Sequence, residues 1–107
     1  MNTPTILTDQ AYIRADGRKG IRNLIAVVYL VECAHHVARE IQTPFRDQGV
    51  HLLGFGGCYP NEYSFRMMRS LCTHPNIGGV LLLSLGCEGF NRRGLLEAIR
   101  ETGRPAE

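Results

Sequence analysis

The sequence predicts an α/β fold, a three-stranded parallel sheet with flanking helices in the order β-α-β-α-β-α, which is half of a Rossmann-like domain. Aliphatic runs typical of strands buried on both faces alternate with amphipathic segments of helical period. The connections between them are short. The 107 residues are 44% hydrophobic and 21% charged, which suits one domain with a single core.

The polar first part of the chain, residues 1–23, is predicted to be a lead-in segment with the charged loop RADGRKGIRN. The Rossmann-like domain then covers residues 24–107. Strands are predicted near 24–32, 50–55 and 79–85, and helices near 33–43, 61–73 and 90–102. Since the chain ends at GRPAE, where a fourth strand is expected, we expect a domain truncated at its C-terminus.

The first strand is the run LIAVVYLV, and Pro44 interferes with the helix that follows it. In this helix Ala34, Val37, Ala38 and Ile41 share one face. These features predict the first βα unit.

The second strand is GVHLLGF, and the spacing of Tyr63, Met67 and Leu71, four residues apart, predicts the helix after it. This helix is expected to stop near Pro75. The third strand is GGVLLLSLG, and Gly103 closes its helix, NRRGLLEAIRET.

The composition excludes several classes of partner. The net charge is only +2, the basic residues are scattered and Trp is absent, so we expect no nucleic-acid partner. No aliphatic run approaches the ~20 residues that span a bilayer, and the N-terminus MNTPTILTDQ does not resemble a secretory signal. We therefore expect a cytoplasmic protein without a membrane partner.

A cysteine follows each predicted strand: Cys33, Cys58 and Cys87. Because ligands bind at the carboxyl ends of strands about 4.8 Å apart, the three sulfur atoms are expected within roughly 8 Å of each other. Thiolates select iron–sulfur clusters, zinc or copper(I), and three ligands leave a position open for substrate. The alternative is that these cysteines only pack in tight turns. Cys72, late in a helix, is predicted to be a packing residue.

Other features leave their function open. His35 and His36 lie in the first turn of a helix, where one of them is an acid or base candidate, or both are simply solvated. The stretch GFGG, from Gly54 onward, matches a dinucleotide fingerprint only in part, because its sixth position is Tyr59.

The loop RADGRKGIRN carries Arg14, Arg18 and Arg22, whose guanidinium groups suit a carboxylate of an acidic substrate. Because the loop precedes the first strand, we expect it at the opposite edge of the sheet from the cysteines. A contact with a subunit or another domain is the alternative.

The stretches AYIRADGRKGIRN and HPNIGGVLLLSLGCE, with the GC pair at Gly57 and Cys58, resemble the altronate/galactarate dehydratase family. Its members are sugar-acid hydro-lyases, some of them called altronate hydrolases. The resemblance covers Tyr12 to Glu88. It implies a longer enzyme that eliminates water from aldonate or aldarate acids with ferrous iron, and a dimerisation role for this region. In one departure, Gly54 stands where members commonly carry a histidine.

The resemblance implies roles for residues at the strand ends. Dehydration needs a base for the proton alpha to a carboxylate and a Lewis acid that helps hydroxide leave. Glu88 is then a base or a metal ligand, or else a carboxylate favoured by a helix N-terminus. His35 is a second catalytic candidate, and the metal, iron or an iron–sulfur cluster, is held by Cys33, Cys58 and Cys87.

The resemblance also implies partners: a small-molecule sugar acid, the remaining domains of the enzyme and a second copy of the chain. The isolated domain is expected to be inactive. Two other functions are considered. One is a non-catalytic dimerisation or assembly domain, and the other is a nucleotide-binding half-domain.

Overall fold

The computed structural model describes residues 11–56, 61–86 and 89–107. Its strands are β1 (Tyr12–Ile13), β2 (Lys19–Gly20), β3 (Leu24–Tyr29), β4 (Val50–Gly54) and β5 (Ile77–Leu83). Its α-helices are α1 (His35–Gln42), α2 (Glu62–Cys72) and α3 (Arg92–Glu101), and two 3-10 helices, Glu32–Ala34 and Thr43–Gln48, lie on either side of α1.

The sheet has the order β4-β3-β5, with both pairs parallel, so the predicted three-stranded parallel sheet with flanking helices is confirmed. At the carboxyl end of β3, Tyr29 pairs with Gly54 on one side and with Leu83 on the other. The chain segments that follow the three strands therefore leave the sheet at one common edge, which we call the carboxyl edge.

The central strand β3 owes its position to three consecutive buried residues, Ala26, Val27 and Val28. Side chains of successive strand residues point to opposite faces, so both faces of β3 are covered. Regular pairing with both β4 and β5 ends at Tyr29, although the Leu30 amide still donates to Leu83 O of β5 at 3.0 Å. The strand is therefore slightly shorter than its aliphatic run.

One face of the sheet forms the main core together with α2 and α3. Met68 and Cys72 of α2 are buried in it, as are Leu95 and Ile99 of α3. The residues that predicted α2 from their spacing are on its exposed side: Tyr63 is 62% exposed, Met67 45% and Leu71 40%. The helix is confirmed, but its buried face is offset by one position, because α2 rests on the sheet through Met68 and Cys72.

The ends of α2 and α3 follow local rules. The side chain of Asn61 accepts a hydrogen bond from the Ser64 amide at 2.8 Å, and that of Asn91 accepts one from the Gly94 amide at 3.0 Å. Each caps the first turn of its helix. Gly103 follows α3 with a φ of 85°, a conformation that glycine adopts without strain.

Residues 11–23 contain an antiparallel pair, β1 with β2, within the part of the chain predicted as a lead-in segment with a charged loop. This hairpin lies at the amino ends of the central strands, the opposite edge from Tyr29. Arg14 donates from Nε to Pro75 O at 2.6 Å, from Nη1 to Asn23 Oδ1 at 3.0 Å and from Nη2 to Arg22 O at 2.8 Å. The Arg14 guanidinium therefore joins the segments that lead into β3 and β5.

The Pro75 carbonyl group also explains why residue 20 is a glycine. A Cβ atom at this position would collide with the Pro75 carbonyl group. The side chain of Asn76 meanwhile accepts hydrogen bonds from the amides of Ile21 and Arg22, at 2.9 and 3.3 Å. The stretches RADGRKGIRN and HPN are thus held together by packing and by hydrogen bonds between side chains and backbone.

The last residues of the chain add to the sheet. Ala106 pairs in parallel with Val80, and the Leu82 amide donates to Glu107 O at 2.6 Å. Arg104, 6% exposed, donates to the carbonyl groups of Ile77 and His74 and to the Thr102 hydroxyl. None of the helices in the described residues has the length and apolar content to cross a membrane.

Candidate functional site at the carboxyl edge

The site residues predicted from the sequence fall into two groups. Cys58, Cys87 and Glu88 lie outside the described residues, so the proximity of the three sulfur atoms stays a prediction. Cys33 and His35 are described. Cys33 is an exposed free thiol in the 3-10 turn that directly follows β3, and His35 is the first residue of α1. Both lie at the carboxyl edge.

The half-buried His35 ring contacts three neighbouring side chains. The ring stacks on Tyr29, with 4.6 Å between ring centroids and 21° between planes. Its Nδ1 lies 3.3 Å from Glu32 Oε1, and its Nε2 lies 3.3 Å from Arg39 Nη2. We call Tyr29, Glu32, His35 and Arg39 the His35 cluster.

These contacts indicate the tautomer of His35. A guanidinium group only donates hydrogen bonds, so Nε2 accepts from Arg39. Nδ1 then carries the proton and donates it to the Glu32 carboxylate. A neutral imidazole held in this way has a lone pair on Nε2, and this atom becomes a proton acceptor when Arg39 moves to another partner.

The positions of the cluster residues follow from the local fold. Tyr29 is the last residue of β3, Glu32 begins the 3-10 turn, and His35 and Arg39 are one turn apart on α1. Gly54, at the end of β4, lies directly under the Tyr29 ring, where a Cβ atom would overlap the ring. The space beside position 54, where the resemblance implies a histidine, is therefore filled by an aromatic ring from the neighbouring strand.

Cys72 has the opposite surroundings from Cys33. It is 0% exposed under α2, and burial raises the pKa of its thiol to about 12, an effect that Arg104 partly offsets. This thiol stays protonated near neutral pH, and its burial keeps it away from solvent and substrate. The prediction that Cys72 is a packing residue is confirmed.

The arginine loop does not contribute to this edge. Arg14 and Arg18 donate to backbone carbonyl groups of Pro75 and Thr73, which precede β5. They lie at the amino ends of the strands, as the sequence predicted, and Arg14 uses its guanidinium in structural hydrogen bonds. These hydrogen bonds hold both residues at the opposite edge of the sheet from the His35 cluster.

Other basic groups do lie at the carboxyl edge. A cavity of about 460 Å³ opens beyond the end of β5. Its polar lining includes Ser84, Arg92 and Arg93, and Arg92 Nη1 donates to Ser84 Oγ at 2.8 Å. The guanidinium groups of Arg92 and Arg93 provide positive charge for a carboxylate ligand, although Glu107 lines the same cavity.

The described residues include no three His, Cys, Asp or Glu side chains grouped closely enough to hold a metal ion. Cys33 fits a thiolate site by its exposure and its place at the carboxyl edge. The two thiols predicted to join it are Cys58 and Cys87, and both lie outside residues 11–56, 61–86 and 89–107. A metal site at this edge therefore remains a proposal.

Sequence reasoning missed Tyr29 and Arg39. Tyr29 was included in an aliphatic strand, and its polar ring at the strand end was the available signal. Arg39 follows His35 by four residues, a spacing that brings two side chains together on a helix. The glycines of GFGG were considered for nucleotide binding, but Gly54 has a different explanation in the overlap with Tyr29.

A family model described as D-galactarate dehydratase/altronate hydrolase, second domain, matches residues 11–107. The chain belongs to this family. The match includes the hairpin, the sheet and the His35 cluster. The resemblance carried by RADGRKGIRN and HPNIGGVLLLSLGCE is thereby confirmed.

Two curated relatives support the same assignment to the altronate/galactarate dehydratase family. The altronate dehydratase of Escherichia coli (strain K12) is 30% identical over 106 residues, covering 87% of this chain and 21% of the relative. The altronate dehydratase of Bacillus subtilis (strain 168) is 27% identical over 107 residues, covering 88% and 22%. The chain thus spans about a fifth of the length of these relatives. No solved structure matches the chain.

Proposed function

We propose that this chain provides the acid–base and metal-binding part of a sugar-acid dehydratase that acts on altronate, galactarate or a related acid in the cytoplasm. The observation that carries the proposal is the His35 cluster, which lies at the carboxyl edge of a parallel sheet in a chain of the dehydratase family. In open α/β sheets this edge is where ligands bind.

In the proposed reaction, His35 takes the proton alpha to the substrate carboxylate. Arg39 donates to this carboxylate instead of to His35 Nε2, and the freed lone pair on Nε2 accepts the proton. The C–H electron pair forms the carbon–carbon double bond, and the neighbouring hydroxyl leaves as hydroxide. The His35 imidazolium returns the abstracted proton to the hydroxide, which gives water and restores the neutral ring. Glu32 stabilises the imidazolium through its contact with Nδ1.

The proposed metal is iron, held by Cys33 together with Cys58 and Cys87. When bound, iron supplies a Lewis acid that polarises the carboxylate or the departing hydroxyl group. Glu88, next to Cys87, is the second acid–base or ligand candidate. The exposure of Cys33 supports its part in this site, because a ligand at a substrate-facing metal must be accessible.

A cobalt(II) titration of the anaerobic chain tests the metal proposal, because cobalt–thiolate bonds give a charge-transfer absorption. We expect one equivalent to bind with this absorption and expect Cys33→Ser to lose it. The matched control is Cys72→Ala, which removes the buried thiol and leaves the absorption intact. Equal absorption in Cys33→Ser and the native chain would contradict a role for Cys33.

Sugar-acid binding is tested by nuclear magnetic resonance with altronate and galactarate, and with the uncharged hexitol galactitol as the ligand control. We expect the acids to shift the side-chain signals of His35 and Arg39, and expect Arg39→Gln to weaken binding. Arg46→Gln is the matched control, an exposed arginine in the 3-10 helix after α1. Shifts confined to the amino edge, around Arg14, would contradict the proposed site.

The isolated chain is not expected to turn over either acid. Substrate clefts commonly form between domains, and the chain covers only about a fifth of the length of its curated relatives. The measurement is 2-keto acid formation under anaerobic conditions with added ferrous iron. Turnover by the chain alone would contradict this expectation and would place the complete site within the 107 residues.

A dimerisation or assembly domain is the second candidate function. The observation that favours it is the exposed apolar stripe on α2, formed by Tyr63, Met67 and Leu71. A second copy of the chain or another domain of the enzyme is the proposed partner. Sedimentation of the native chain and of Met67→Glu distinguishes the two candidates: dimers lost in the variant, together with no binding of cobalt or sugar acid, would favour assembly.

A further inference from the structure

We propose that Tyr29 is a positioning residue for His35, and that Gly54 is the residue that admits the Tyr29 ring to this position. The catalytic part of this proposal rests on the proposed function, in which His35 acts as the base. The geometric claim is independent of that function. It says that the Tyr29 ring, which lies against the backbone of Gly54, selects one orientation of the His35 ring.

The first step of the argument is the register of β3 and β4. Tyr29 and Gly54 are partners at the ends of their strands. Side chains of directly opposed residues share a face of the sheet, so the two positions compete for the same space. The Tyr29 ring occupies the volume that a Cβ atom of residue 54 would need. Any larger residue at position 54 would displace the ring.

The second step is the other face of the Tyr29 ring, on which His35 stacks at 4.6 Å. Stacking fixes the plane of the imidazole, while the contacts of Nδ1 and Nε2 fix its rotation within that plane. Glycine backbone, phenol and imidazole thus form three successive layers. Loss of the middle layer would leave the imidazole plane without support, even with Glu32 and Arg39 in place.

The third step concerns which atoms of Tyr29 are needed. The stack uses the aromatic ring, so Tyr29→Phe retains the support and Tyr29→Leu removes it. At position 54, Gly54→Ala adds the colliding Cβ atom. Gly56 offers a matched control, because a Cβ atom there would lie 3.4 Å from Glu32 Oε2, an ordinary contact. Neither glycine has a positive φ, so alanine causes no backbone strain at either site.

The test measures the imidazole nitrogen shifts of His35 in the metal-free chain, at a pH where the ring is neutral and without any sugar acid. His35→Gln assigns the signals. We expect the native chain, Tyr29→Phe and Gly56→Ala to show the proton on Nδ1. In Gly54→Ala and Tyr29→Leu, we expect the shifts to move toward an average of both tautomers, because a mobile ring samples both.

Unchanged shifts in folded Gly54→Ala and Tyr29→Leu would overturn the proposal. If Gly54→Ala does not fold, the pair Tyr29→Phe and Tyr29→Leu decides, since both leave the glycine in place. A Tyr29→Phe spectrum like that of Tyr29→Leu would also overturn it, because the ring alone would then not suffice. Binding of altronate is measured separately, so failure of the proposed function leaves this result interpretable.

Discussion

The thiol of Cys72 illustrates how strongly one buried residue is shaped by its surroundings. Cys72 is the last residue of α2, and Met68 lies one helical turn before it on the same buried face. Burial favours the neutral form of the thiol. The unfolded chain ionises this thiol near its ordinary pKa of 9.0, but the folded chain keeps it protonated until about 12. Alkaline conditions therefore favour the unfolded state.

This difference predicts a pH dependence of stability. The contribution of Cys72 is fully present below pH 9.0 and is lost as the pH rises toward about 12. The loss amounts to roughly 1.4 kcal/mol per pH unit within this window. Urea unfolding of the native chain and of Cys72→Ala between pH 8 and 10.5 measures it. We expect the variant, which lacks the thiol, to have a shallower decline, and equal slopes would contradict the prediction.

A second prediction at the residue scale concerns Arg14. Its guanidinium group donates to the carbonyl groups of Pro75 and Arg22 and to the Asn23 side chain. We expect Arg14→Ala to lower the free energy of unfolding by about 1–3 kcal/mol, because these acceptors lose a charged donor. Urea unfolding measures the effect. Arg46→Ala serves as the exposed control and should change stability by less than about 0.5 kcal/mol.

Some site residues were predictable from the sequence and others were not. His35 and Cys33 could be placed at the carboxyl edge because they directly follow a buried strand. Tyr29 and Gly54 required the register between β3 and β4, which the sequence of either strand alone does not specify. Arg14 was assigned to the correct edge, but its hydrogen bonds to carbonyl groups depend on the path of the hairpin.

At the scale of the elements, α2 shows the limits of a helical period. Tyr63, Met67 and Leu71 recur every four residues and correctly predicted a helix, yet the buried residues are Met68 and Cys72. Both sets satisfy the period, so pattern alone does not decide which one faces the sheet. Packing in the core that α2 shares with α3, β3 and β5 decides it.

Adjacent methionines provide a test of this orientation. Met68 is 4% exposed, and we expect Met68→Ala to cost about 2–5 kcal/mol because it leaves a cavity in the core. Met67 is 45% exposed, and Met67→Ala should cost less than about 1 kcal/mol. Thermal or urea unfolding compares them. Equal destabilisation would mean that α2 is rotated about its axis.

The hairpin of β1 and β2 was missed because each strand has only two residues. Such short strands have no alternation to detect, and the polar composition of RADGRKGIRN is typical of a loop. The larger elements were predictable because each has a clear period or a continuous apolar run. The parallel direction of the three strands was expected from the right-handed crossover connections between them.

At the scale of the whole molecule, Arg104 links the C-terminus to the amino edge. Its guanidinium group donates to the carbonyl groups of Ile77 and His74, and burial lowers its pKa while Asp16 opposes this effect. The residues after it pair with β5 through Ala106. The end of the chain thus contributes to the same body as the hairpin and the sheet.

This role predicts that Arg104→Met is destabilising. The substitution keeps much of the apolar stem but removes the donor that Arg104 provides to the carbonyl groups of Ile77 and His74, of which His74 keeps the Ile77 amide at 2.9 Å. We expect a loss of about 1–3 kcal/mol in the free energy of unfolding. Arg93→Met, on the exposed side of α3, is the matched control in the same urea experiment. A loss no larger than that of the control would show that the guanidinium is dispensable.

The central place of β3 also determines how the protein exchanges its amide hydrogens with solvent. Strand β3 is paired on both sides, to β4 and to β5, and three of its residues are buried. Strand β4 lies at the border of the sheet, and none of its residues is buried. Opening of β4 breaks one ladder, whereas exposure of β3 requires both ladders to separate. Amides of β3 should therefore exchange only through global unfolding, and outward-facing amides of β4 through local fraying.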